Sequence, residues 1–183
     1  MRVAIFGGSF NPPHLAHQLV ALYVLETAPV DALWFVPCRK HPFDKALTPF
    51  DHRMRMCERA ATALGPRVRV SDIEGRLGGE SRTLLTIKAL RAENPADEFL
   101  LVVGADIEPE LHLWYGAEEL LRTVERIVVG RGGYSGGSAL AMPVLSSTDI
   151  RDRLAHGQSV AGLLPSSVQD YIRQHGLYAG PRS

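Results

Sequence analysis

An α/β fold built on a doubly wound parallel sheet is predicted by this 183-residue chain. Three observations carry the prediction: short apolar runs recur, segments of helical periodicity separate them, and the residues with chemical potential fall just after the runs. Residues 2–6 read as the first buried strand, and Gly7-Gly8 behind it permits a tight turn with close backbone approach. From His14 the run His-Leu-Ala-His-Gln-Leu-Val-Ala-Leu reads as an amphipathic helix reaching residue 27. A second apolar run at 33–36 precedes a helix at 50–63, a third at 68–70 precedes one at 81–93, and a fourth at 99–103 precedes one at 116–122. Runs at 127–129 and 142–145 complete the strands. The last two helices, 148–156 and 165–175, have no strand between them, so the chain is expected to finish in a helical end.

Such alternation gives a Rossmann-like sheet with helices on both faces, whose ligands gather outside the carboxyl ends of the strands where strand order reverses. The candidate segments obey that rule. Gly7 to His17 follows the first strand, Pro37 to Lys45 the second, Gly104-Ala105-Asp106 the run at 99–103, Arg131 the run ending at 129, and Ser146-Ser147-Thr148 the last run. Loops at the other end, 28–31 and 94–97, carry turn chemistry only. There is no internal repeat and no linker, so 1–183 is read as a single domain, with the glycine-rich stretch 130–137 as a surface loop.

Composition narrows the function classes. With 45% hydrophobic and 22% charged residues the chain is ordinary globular material, long enough for a real core. Twenty basic and twenty acidic side chains cancel, which removes the positive field that drives binding to a nucleic-acid polymer and favours a small ligand. Cys38 and Cys57 lack C-x-x-C spacing, and the first residues already read as a core strand rather than a signal peptide. A reduced, cytoplasmic protein without a disulfide is expected. No apolar run approaches the roughly 20 residues of a membrane span, so no membrane partner is expected.

The densest signal is Gly7-Gly8-Ser9-Phe10-Asn11-Pro12-Pro13-His14-Leu15-Ala16-His17. A helix that begins here presents free N–H groups and the positive end of its dipole where an anion would sit. Spacing of three puts His14 and His17 on one face of the first turn, able to address the same ligand. Neither G-x-G-x-x-G nor a Gly-Lys-Ser/Thr P-loop is present, which excludes the common dinucleotide and P-loop sites. H-x-x-H also lacks the His-Glu-x-x-His spacing of a zinc helix, and no Cys/His cluster adds ligands, so no metal site on the protein is expected. A late segment, Ser146-Ser147-Thr148-Asp149-Ile150-Arg151, starts a helix with three hydroxyls and an arginine. Alone it is an ordinary N-cap; with a phosphate turn it is also a triphosphate cradle.

The eleven-residue string resembles the G-x-[ST]-F-x-P-x-H-x-G-H motif of the adenylyl- and cytidylyltransferase superfamily. It is most similar to that of the bacterial nicotinate-nucleotide adenylyltransferases. Leu145 to Arg151 resembles their [IL]-S-[ST]-T-x-[IL]-R motif, and Leu163-Leu164-Pro165 through Tyr178 resembles their carboxyl-terminal packing motif, so the likeness runs from residue 2 to about 178. Gly104-Ala105-Asp106 with Leu113-Trp114-Tyr115 resembles the family's G-x-D and tryptophan pair. Ser81-Arg82-Thr83 resembles its S-Y-T stretch facing the pyridine carboxylate. Departures are Ala16 between the histidines, Arg82 for tyrosine, and His41-Pro42-Phe43-Asp44-Lys45 in place of P-P-H-K.

What the resemblance implies is transfer of AMP from ATP to nicotinate mononucleotide, giving deamido-NAD and pyrophosphate in NAD biosynthesis. His14, His17 and Arg151 would be catalytic. Gly7, Gly8, Ser9, Phe10, Lys45, Asp106, Ser147 and Thr148 would bind ATP and its phosphates, and Thr83 and Trp114 the acceptor. Mg²⁺ would arrive on ATP, since that ion binds chiefly through substrate oxygens and water. Partners are ATP, a pyridine mononucleotide and, as an arrangement the sequence leaves open, a second copy of the chain. Other acceptors (nicotinamide mononucleotide, phosphopantetheine, FMN), CMP transfer to a polyol phosphate, or a silent ATP sensor of the same fold are the alternatives.

Overall fold

Five parallel strands form the sheet in the computed structural model, which describes residues 1–40, 47–130 and 140–180. They are β1 (Arg2–Gly8), β2 (Ala32–Pro37), β3 (Val68–Val70), β4 (Glu98–Gly104) and β5 (Glu125–Val129), in the order β3-β2-β1-β4-β5. Because the apolar runs are hydrophobic at successive positions, both faces of the sheet must be covered, as parallel sheets require. Ala4, Leu33, Phe35, Leu100 and Val102 pack on one side against Ala21, Val24 and Leu25 of α1 (Leu15–Thr27) and Cys57 and Ala61 of α2 (Phe50–Thr62). Val3, Ile5, Phe99, Leu101 and Val103 pack on the other against Ile73 of α3 (Ile73–Leu77), Leu84, Ile87 and Leu90 of α4 (Thr83–Glu93), and Leu120 of α5 (Ala117–Thr123). A third cluster joins α2 to the helical end: Met56 and Ala60 meet Ile150 of α6 (Ser147–Ala155) and Val168 and Ile172 of α7 (Ser166–His175).

Strand order reverses between β1 and β4, which pair in register from Arg2 opposite Glu98 to Ile5 opposite Leu101. The crevice this opens at their carboxyl ends positions the site. At the amino ends, Arg2 instead closes the rim by bonding Glu98 (3.0 Å), Glu125 (2.8 Å) and the Pro29 carbonyl (2.9 Å).

Four local expectations are corrected. Residues 142–145 do not form a strand: Met142 alone bridges to Gly130 (N to O, 3.0 Å), because Pro143 has no N–H to give and Val144 stands 65% exposed. The short α3 and a 3-10 turn over Glu108–Leu113 were not expected, being too brief to show a period. α1 is not cleanly amphipathic, since Leu19 and Leu22 face solvent. Finally, Gly7 and Gly8 belong to the extended end of β1, and the left-handed residue of the turn is Phe10 (φ 45°). Gly8 is needed for closeness rather than for a turn, because an added Cβ would meet the Phe10 ring at 3.1 Å.

The chain's end returns to its beginning. The first amide of α1, on Leu15, donates to the Leu163 carbonyl (3.0 Å), and the Tyr178 hydroxyl donates to Asn11 Oδ1 (2.7 Å). Burial pushes the Tyr178 phenol from its ordinary 10.0 up to about 12. Folded chain therefore keeps a proton that unfolded chain loses above about pH 10, so this contribution to stability is whole below that pH and disappears as pH rises toward 12. Urea midpoints measured from pH 8 to 12 should fall less steeply for Tyr178→Phe than for the native chain. At neutral pH the same variant should lose about 1 kcal/mol with its hydrogen bond.

Candidate active site

A cavity of about 500 Å³ lies at the carboxyl ends of β1 and β4. Gly7, Gly8, Ser9, His14, Ala16 and His17 line one wall, and Gly104, Asp106 and Trp114 another. Thr83, Arg82, Ser81 and Thr86, around the start of α4, form the third. Its floor is the apolar surface of the strand ends, including Ile5, Val36, Leu101 and Val103. One half is thus polar and suited to an anion, the other flat and apolar enough for a ring.

The histidines are fixed by helix capping. The backbone N–H of His14, the cap residue of α1, donates to Nδ1 of His17 at 3.0 Å. An Nδ1 that accepts carries no proton, so the neutral ring holds its proton on Nε2 and can donate from there. The two imidazoles stack with centroids 3.7 Å apart, and His17 is steadied by the edge of Phe10 at 4.9 Å. Phe10 itself is 1% exposed and packs on Phe6 and Phe35, so it shapes the site from the core without lining the cavity. The free amides expected at the start of α1 are fewer than supposed, because Leu15 N–H is spent on Leu163 and His17 N–H on the His14 carbonyl.

The distant hydroxyl segment docks on this same turn. Ser147 donates to the Pro12 carbonyl (3.0 Å), and Arg151 donates from Nη1 to the Asn11 carbonyl (2.8 Å) and from Nη2 to Thr148 Oγ1 (3.2 Å). Ser146 is the helix cap, accepting from the amides of Thr148 and Asp149. Of the three hydroxyls, then, one caps, one docks, and Thr148 stays exposed beside Arg151. None of Ser147, Thr148 and Arg151 lines the cavity; Ser147 and Arg151 bond residues 11–12, which lie in the chain between the lining residues Ser9 and His14.

Asp106 owes its position to Gly104. The carboxylate folds back over that glycine so closely that an added Cβ would collide with Oδ1, which explains the spacing of the two residues. Trp114 follows the 3-10 turn and leans on the β4 side of the core, with one face toward the cavity. Thr83 opens α4, and Ser81 Oγ accepts from the amides of Arg39 (2.9 Å) and Lys40 (3.4 Å), tying the loop after β2 to this wall. Lys45 and Arg131, both singled out in the sequence, lie outside the described residues.

Sequence reasoning missed two buried charges. Arg53, 1% exposed on α2, donates to the carbonyls of Thr48 (2.8 Å), Ser9 (2.9 Å) and Arg39 (3.1 Å), holding the phosphate turn to the loop after β2. Burial lowers its pKa, although a guanidinium remains protonated throughout the useful pH range. Glu74, 6% exposed on α3, lines the cavity and accepts from the Thr86 hydroxyl. Only the apolar surroundings of Arg53 on α2, at helical spacing from Met56, Cys57 and Ala60, could have hinted that it points inward. Cys38 also lines the cavity; burial pushes its thiol up, and both cysteines are free.

Comparison with known proteins adds a family model described as cytidylyltransferase-like, matching residues 5–153. A protein of Anaeromyxobacter dehalogenans named probable nicotinate-nucleotide adenylyltransferase is 42% identical over 182 residues, 97% of each chain. One of the same name from Myxococcus xanthus is 38% identical over 188 residues, covering 100% of this chain and 97% of that one. The solved structure of Plasmodium falciparum nicotinic acid mononucleotide adenylyltransferase complexed with NaAD shares the fold, with a TM-score of 0.83 at 23% identity over 97% of both chains. Among the described residues no helix is long and apolar enough to cross a membrane.

The packing of Asp106 on Gly104 yields a direct test. Gly104→Ala should destabilise the fold by roughly 1–3 kcal/mol through overpacking. A crystal structure of the variant should show the Asp106 carboxylate turned away from the strand end.

Proposed function

The chain belongs to the cytidylyltransferase-like family, and from that premise we propose that it transfers the adenylyl group of ATP to nicotinate mononucleotide, forming deamido-NAD and pyrophosphate in NAD biosynthesis. One observation supports the reading above the others: the hydroxyl-rich start of α6 is bonded to Asn11 and Pro12 of the histidine turn, so two segments 140 residues apart are held together. The whole of 1–183 acts as one catalytic domain, in the cytoplasm.

The acceptor's phosphate attacks the α-phosphorus of ATP, the new P–O bond forms as the bond to the pyrophosphate oxygen breaks, and pyrophosphate leaves with the electron pair. No protein nucleophile is needed, because the triphosphate already carries a good leaving group. The protein's work is to align two anions and neutralise charge in the transition state. His17 donates from Nε2 to a phosphate oxygen, a direction set by the bond its Nδ1 accepts. His14, stacked against it, serves the same phosphates. Ser9, Gly7 and Gly8 line the phosphate wall, and Gly7 leaves open the space that a Cβ would take. Ser147, Thr148 and Arg151 receive the β- and γ-phosphates as they depart.

At the other end, Asp106 accepts from ribose hydroxyls, Trp114 stacks on the pyridine ring, and the opening turn of α4 at Thr83 faces the ring's carboxylate. Among the described residues no three His, Cys, Asp or Glu side chains group to hold a metal. A donor set with Asp106 as the nearby carboxylate fits an ion carried in by substrate, and Mg²⁺ bound to ATP would supply charge neutralisation on the phosphates. We read the active unit as one chain or a homodimer of it.

Pyrophosphate release with ATP, magnesium and a panel of nicotinate mononucleotide, nicotinamide mononucleotide, phosphopantetheine and FMN tests this reading. Nicotinate mononucleotide should give the highest kcat/KM; preference for phosphopantetheine or FMN would reject it. His17→Ala should lower kcat by about a hundredfold or more, the loss of one aimed donor. Its unfolding free energy should drop only by the worth of a cap, about 1 kcal/mol. Near-native turnover in that variant would remove His17 from the chemistry.

A further inference from the structure

We propose that Arg82 reads the carboxylate of the acceptor's pyridine ring and so makes this chain choose an acidic ring over its amide. The inference rests on the adenylyl-transfer reading and deepens it. Its first ground is the charge of the cavity. Among the described lining residues there are three carboxylates, Glu74, Asp106 and Glu110, and one guanidinium, Arg82. Arg82 is the one guanidinium among those described lining residues, and so the group there that attracts an acidic ring.

The second ground is position. Arg82 caps α4, its carbonyl accepting the amides of Leu85 (2.9 Å) and Thr86 (3.1 Å), so its backbone is held one residue from Thr83. Its guanidinium lies over the Tyr115 ring at 5.6 Å, and Tyr115 adjoins Trp114, the residue assigned to the ring stack. A guanidinium held beside the chain neighbour of the stacking residue stands within reach of a substituent on the stacked ring.

The third ground is the freedom of its present partner. Arg82 Nη2 donates to Glu80 at 2.6 Å, but both side chains are well exposed, at 37% and 49%. An exposed pair of this kind contributes little, so a substrate carboxylate can replace it with two parallel hydrogen bonds. A carboxamide offers one acceptor and no charge to the same fork. Glu74, the buried carboxylate behind this wall, accepts from the Thr86 hydroxyl.

The test compares kcat/KM for nicotinate and nicotinamide mononucleotide in the native protein, Arg82→Gln and Arg82→Lys, with ATP saturating. Arg82→Gln should cut the nicotinate-to-nicotinamide ratio about tenfold, the scale of a partly exposed charge-assisted bond, with the change in KM for nicotinate mononucleotide. Arg82→Lys, which keeps the charge and loses the fork, should recover part of the ratio. A ratio in Arg82→Gln equal to the native one, or a fall in kcat alike for both acceptors, overturns the proposal. If the native protein itself releases no pyrophosphate with either acceptor, it is the adenylyl-transfer reading that fails, before any variant is compared.

Discussion

The need to satisfy the carbonyls of residues 9–12 governs this structure. After β1 the chain runs Ser9-Phe10-Asn11-Pro12-Pro13, and two prolines without N–H groups prevent it from closing a ladder or a turn of its own. Buried carbonyls must nevertheless find donors. Arg53 comes from α2 to Ser9, Arg151 and Ser147 come from α6 to Asn11 and Pro12, and the Asn11 side chain takes Tyr178 and the Thr48 amide. Each charged donor is worth roughly 1.5–3 kcal/mol in such a bond, and a buried carbonyl left without one costs about as much. The turn that presents His14 and His17 is therefore held in shape by α2, α6 and Tyr178 packed onto it.

That dependence has a chemical consequence. Phosphoryl and nucleotidyl transfer depends on placement more than on reactive side chains, so donors must be held before the substrate arrives. The capping bond from His14 to His17 aims one imidazole, and Gly104 leaves room for Asp106 to lie against its own strand. The reversal of strand order between β1 and β4 puts these groups across one crevice. The end of β1 and the turn after it carry one wall of the cavity, the end of β4 with Trp114 another, and the first turn of α4 the third.

Much of this could be read in advance for local reasons. Strands β1, β2 and β4 announce themselves as apolar runs because both faces of a parallel sheet are buried, and α2, α4, α6 and α7 fall within a residue or two of their periodic patterns. The histidine string was legible because its residues sit side by side in the sequence. Residues 142–145 misled because an apolar composition says nothing about whether a proline will interrupt pairing. Arg53 and Glu74 were hidden because a charged residue on an amphipathic helix reads as surface until three carbonyls, or a threonine on another helix, are brought to it.

By itself, then, the sequence determined the α/β class, the position of most main elements and the kinship of its motifs, all of which depend on neighbours within a few residues. Tertiary structure alone decided that α6 rests on the turn, that one of its hydroxyls caps and another docks, and that Arg82 lines the same cavity as His17 and Trp114. Those facts join residues that the chain separates by up to 140 positions, as between Asn11 and Arg151. Hydrogen-bond partners at that distance are chosen by how the layers pack, and no local pattern encodes the choice.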